Sequence, residues 1–176
     1  MLLPLHYFYA SEGRPLPGVE LVDGADVPEP ERSLLVHERD MTSTLRRFHG
    51  ADIALEILAR ERSEDYLVRM VVLRRDDTGA PVEFGAIGVR LEKFEGPLRE
   101  DIAEGRGPLG GLLEKYAIDY RSSPKGYFKL VADHRIASAL DESEGSTLYG
   151  RCNELTDPEG FALADIVEVL PANGRD

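Results

Sequence analysis

A chain of 176 residues with 42% hydrophobic and 31% charged side chains has the size of one globular domain, able to bury roughly 70% of its unfolded surface without disulfide or metal staples. Its 33 acidic and 21 basic residues leave a formal charge of −12, which opposes docking on nucleic acid or an anionic membrane. One cysteine and four histidines exclude a disulfide framework and offer no zinc-ligand spacing; with no apolar run near the roughly 20 residues of a membrane span and no signal-peptide pattern, a cytoplasmic protein without a cofactor is expected.

Residues 1–30 carry Pro4, Pro15, Pro17, Pro28 and Pro30 with Gly13, Gly18 and Gly24, and read as an extended arm anchored on the domain by His6, Tyr7, Phe8 and Tyr9. The domain proper spans 31–171, and 172–176 form a tail. Residues 30–39 follow a helical rhythm, and Thr42 is placed to cap a second short helix through Phe48 that Gly50 stops. The alternation of Ile53, Leu55 and Ile57 fits a half-buried strand, although the same stretch tolerates a helix. Residues 66–73 and 82–91, separated by the turn sequence 74–79, form a β-hairpin. Helices follow at 98–104 and after Pro108, then a strand at 127–131, a helix at 136–140 and a final strand pair at 147–155 and 161–170. Hairpins dominate and no regular βαβ alternation occurs. The expected fold class is therefore α+β, a mostly antiparallel sheet with helices gathered on one face.

Arg69 is the sharpest anomaly in that layout. It shares a strand face with Leu67, Val71 and Leu73 while Val68, Met70 and Val72 line the other, so it is sheltered on both sides. A sheltered guanidinium needs an anionic partner, either an internal acid or a ligand carboxylate. The segment Gly107-Pro108-Leu109-Gly110-Gly111 starts a helix, where free N–H groups can meet an anion, although it also reads as an ordinary Pro-started helix. Asp165 and Glu168 lie on opposite faces of the last strand, so a regular strand turns only one of them to a given pocket; that one is a candidate acid or base. Cys152 reads as structural. His6, His37, His49 and His134 read as arm, surface or capping residues.

Taken in order, Met41-Thr42, Tyr66-Leu67-Val68-Arg69, Pro108-Leu109-Gly110, Leu148-Tyr149-Gly150-Arg151 and a closing strand ending Leu170-Pro171 resemble the chorismate lyase family from about residue 41 to 171. That resemblance implies a six-stranded antiparallel sheet with the ligand buried under helical flaps, as in the related UTRA-type effector-sensing domains of transcription regulators. It further implies cofactor-free cleavage of chorismate, or a related enolpyruvyl carboxylate, to a 4-hydroxybenzoate-type product and pyruvate. Arg69 would anchor the carboxylate. Met41, Leu109 and Gly110 would close on the ligand, and Glu168, or else Asp165, would supply the acid. Gly85 is followed by Ala86 where the family commonly has an arginine, and fixed anchors place the family's glutamate at Val167 or Ile166, one or two residues from Glu168. The enzyme is the first expectation, supported by the free-standing length. The alternative is a non-catalytic domain that binds a small anionic aromatic carboxylate. Either would be a monomer or weak homodimer.

Overall fold

Apolar, β-branched runs along 66–73 and 82–91, broken by the turn at 74–79, give a hairpin in which β3 (Tyr66–Arg75) pairs antiparallel with β4 (Pro81–Arg90). Arg69 lies opposite Ile87 and Leu73 opposite Glu83. The structure, a computed structural model, describes residues 2–172; most of the expected tail, residues 173–176, lies outside them. The remaining strands are β1 (Val19–Val22), β2 (Ile53–Arg62), β5 (Arg121–Val131), β6 (Thr147–Thr156) and β7 (Ala162–Val169). Among the described residues they form one antiparallel sheet in the order β1-β5-β6-β7-β4-β3-β2. The ambiguous segment after Ile53 is thus a strand.

The sheet has seven strands where six were expected. The added one is β1, four residues pairing with β5 along Val19–Leu130 to Val22–Tyr127. Its brevity and its proline- and glycine-rich flanks conceal it in the sequence. The arm is not extended either, because α1 (Leu3–Ser11) is a helix. Pro4 sits in its first turn, where a missing N–H breaks no helical hydrogen bond. Leu5, Phe8 and Tyr9, at helical spacing, are buried on the sheet.

α6 (His134–Leu140) joins α1 on that sheet face, packing with Val68, Met70, Val72, Phe84, Val167 and Val169. The other face carries α2 (Glu31–Leu35), α3 (Met41–His49), α4 (Gly96–Glu104) and α5 (Leu109–Lys115). The expectation of helices on one face therefore holds for these four, and α1 with α6 closes the second face. Asp40, not Thr42, caps α3: its Oδ1 accepts from the Ser43 N–H at 2.9 Å. Thr42 is instead buried within the first turn. Gly50, in the left-handed region at φ 62°, ends the helix. α4 and α5 are tied through Asp101, which accepts from Arg106 at 2.8 Å, Lys115 at 2.9 Å and Tyr116 at 2.8 Å. These donors, Lys115 foremost, hold its carboxyl below the ordinary range.

Candidate functional site

Strand alternation turns Arg69 and Val71 of β3, Glu83 and Gly85 of β4, Asn153 of β6 and Glu168 of β7 toward the α2–α5 face. There they line a cavity of about 50 Å³. The start of α3, with Asp40, Met41 and Thr42, and the start of α5, with Pro108, Leu109 and Gly110, form its roof. Arg69, Met41, Leu109, Gly110 and Glu168 are thus brought to one cavity from four elements. Asp165 is not among them. It lies on the opposite strand face and accepts from Arg90 Nη1 at 3.2 Å. An eight-residue strand without a bulge between Asp165 and Glu168 cannot turn both the same way.

Arg69 is 2% exposed. Its guanidinium donates to the carbonyls of Ile102 at 3.5 Å and Gly107 at 3.3 Å, both long for N–H···O bonds. Its Nε has no hydrogen-bond partner, and no ion pair to it occurs among the described residues. Desolvation alone acts on its charge, lowering its pKa from 12.5 to about 10. The internal acid that would make Arg69 purely architectural is therefore missing. The two carbonyls, one of them in the last turn of α4, offset part of the charge through the negative end of that helix. Buried cations ordinarily have a hydrogen-bonded anion, and this one instead borders a cavity.

Across the cavity the arrangement is reversed. Glu168 is 2% exposed and its Oε2 accepts from Arg151 Nε. The rest of the Arg151 guanidinium donates to Leu35 O at 3.1 Å, His37 O at 3.0 Å and Arg39 O at 3.1 Å. Arg151 thereby fastens the α2–α3 connection to the sheet and neutralises Glu168. His37 completes the fastening, its ring contacting Leu34 O at 2.7 Å and Arg151 Nη1 at 3.3 Å. Burial first, then the adjacent guanidinium, lowers its pKa to about 4. Glu83 has no such partner. It is 4% exposed, its Oε2 is buried without a hydrogen bond, and desolvation followed by the charge of Glu168 raises its pKa well above 4.5. Glu83 is a buried carboxyl group facing the cavity, in surroundings that favour its neutral form.

Sequence reading missed Glu83, Arg151 and Asn153. For Glu83 the signal was the one that exposed Arg69, a charged side chain in an otherwise apolar strand, here between Val82 and Phe84, whereas the sequence of β6 around Arg151 and Asn153 is too polar to carry it. Ala86 borders the cavity but packs in the core of the opposite face, so the residue following Gly85 does little to set the cavity's charge. Of the glycines at the start of α5, Gly110 serves close packing and Gly111 has ordinary room. A Cβ on Gly110 would lie 2.7 Å from Asp40 Oδ1, and one on Gly111 3.4 Å from Arg46. Cys152 is buried in the α1–α6 core, and burial pushes its thiol up to about 11. Among the described residues no group of three or more His, Cys, Asp or Glu side chains is disposed to hold a metal, and no helix is long and apolar enough to cross a membrane.

No protein-family model matches this chain, and no curated protein matches its sequence. Solved structures do match in fold. The effector domain of PhnF from Mycobacterium smegmatis aligns with 14% identity and a TM-score of 0.59, covering 76% of this chain and 89% of that one. PhnF itself aligns with 12% identity and a TM-score of 0.58, over 98% of this chain and 96% of that chain. The ligand-binding domain of a Bordetella bronchiseptica protein assigned to the GntR family of transcriptional regulators aligns with 15% identity and a TM-score of 0.54, over 70% and 86%. The chain shares the fold of these effector domains. It is the fold that the resemblance implied through the UTRA-type domains, and at 12–15% identity it does not show membership of the chorismate lyase family.

Proposed function

We propose that the protein is a non-catalytic small-molecule-binding domain whose ligand presents a carboxylate to Arg69. The observation that carries this reading is the buried guanidinium with a free Nε and no internal acid, bordering a cavity that two helix starts cover. A planar carboxylate matches the guanidinium fork and restores the missing counter-charge. The fold neighbours described as effector or ligand-binding domains support the same class. The acid that the resemblance assigns to chorismate cleavage, Glu168, is committed to Arg151 rather than free to act on a substrate. The binding reading is therefore preferred over chorismate cleavage. The cavity is smaller than the roughly 150 Å³ that holds a benzene, so an aromatic or enolpyruvyl carboxylate enters only as α3 and α5 part.

Calorimetric titration with benzoate, 4-hydroxybenzoate and chorismate, with chromatography for 4-hydroxybenzoate and pyruvate, tests this assignment. Saturable binding without turnover is expected, lost at least tenfold in Arg69→Ala and weakened in Arg69→Lys, which keeps the charge but not the fork. Turnover of chorismate would restore the lyase reading. Binding that survives Arg69→Ala would remove the arginine from the site.

A further inference from the structure

Arg69 and Glu83 are opposite chemical types at two ends of one cavity. Arg69 pairs with Ile87, four residues along β4 from Glu83, and Glu83 pairs with Leu73, four residues along β3 from Arg69, an offset of about 13 Å along the strands. Each is almost wholly buried, and each has a polar atom, Arg69 Nε and Glu83 Oε2, without a hydrogen-bond partner. Gly85 leaves the wall open beside Glu83: a Cβ there would lie 3.1 Å from Glu83 Oε1. Native interiors rarely leave two such groups unsatisfied in one place.

The charges around the cavity decide what belongs at the Glu83 end. Glu83 on β4 is faced by Glu168 from β7, Arg151 from β6 and Asp40 from the start of α3. Arg151 is engaged by Glu168 and by three carbonyls. Asp40 is engaged by the N–H and hydroxyl of Ser43. Once a ligand carboxylate occupies Arg69, no cation among the described residues lining the cavity remains for Glu83. We infer that the ligand is amphoteric, a small amino acid in the broad sense, with its carboxylate on Arg69 and its ammonium donated to the Glu83 carboxylate. On binding, Glu83 gives up its proton and the ammonium takes its place as counter-charge, so every charge in the cavity is paired. This rests on the Arg69 reading and adds the second contact.

Two isosteric ligand pairs test it by calorimetry at pH 7: 4-aminobutyrate against pentanoate, and 4-(aminomethyl)benzoate against 4-ethylbenzoate. Each pair differs only by an ammonium in place of a methyl. In the unaltered protein the amine of at least one pair is expected to bind tenfold or more tightly than its partner. Titration in buffers of different ionisation enthalpy should show proton release with the amine and none with the alkyl acid. In Glu83→Gln, which conserves shape, the preference and the proton release are both expected to vanish while the alkyl acid binds as before. Equal affinity within both pairs in the unaltered protein overturns the Glu83 contact and leaves Arg69 as the carboxylate site. A preference for the amine that persists in Glu83→Gln also overturns it. Binding of no carboxylate at all overturns the Arg69 reading and this inference together.

Discussion

Glu83 and Glu168 show how neighbours assign different states to two like side chains in one cavity. Glu168 has a guanidinium on it, whereas at Glu83 burial and the negative charge of Glu168 outweigh the smaller opposing effect of Arg151. Above the ordinary value of 4.5 the unfolded chain releases the Glu83 proton while the native protein keeps it, so the raised pKa makes stability fall as pH rises through the native value. Glu83→Gln, which cannot ionise, is accordingly expected to melt above the unaltered protein at pH 8, with the difference closing as pH falls to 4. A variant that melts lower at both pH values would show that Glu83 is ionised and internally paired. Arg69 was legible in the sequence because an arginine in an apolar strand stands out whichever way the strand faces. Glu83 carried the same signal, but the resemblance drew attention to the last strand, where the family keeps its acid. The choice between Asp165 and Glu168 needed the register of β7 against β4, which no single strand reveals.

At the scale of elements, the cavity exists because two helix starts meet above the sheet without filling the space. Gly110 in α5 lies against Asp40, the residue that caps α3. The glycine is required by that approach, since Asp40 cannot swing aside without giving up the cap, worth about 1 kcal/mol. Gly110→Ala is therefore expected to lower the melting temperature and to change carboxylate affinity by moving α5 relative to α3. Unchanged melting and unchanged affinity would show that the two helices adjust freely. The hairpins and most helices were legible because periodicity, turn residues and helix stops agreed along 66–91 and 147–170. The amino-terminal segment was not, because its prolines and glycines signal breaks without saying what lies between them. There, a helix with proline in its first turn and a strand of four residues both escape a reading based on breakers.

For the whole molecule, one sheet separates two tasks. The α1–α6 face is an apolar core that holds the strands in register, while the α2–α5 face carries the buried charges and the cavity. The order of the short motifs from Met41 to Pro171 pointed to this architecture. Neither they nor fold neighbours at 12–15% identity carry the ligand, which depends on a few side chains: Arg69, Glu83, and the Arg151–Glu168 pair that keeps the cavity's charges apart. The account turns on Arg69 being a cation that awaits an anion. The most direct measurement follows the Arg69 Nε–H signal in a proton–nitrogen correlation spectrum, assigned by its loss in Arg69→Lys, during titration with 4-(aminomethyl)benzoate. A saturable displacement of that signal, with slower exchange of its hydrogen with water, is the predicted result. A signal that stays in place while others move to saturation would show that the ligand sits elsewhere and that Arg69 only ties α4 and α5 to the sheet.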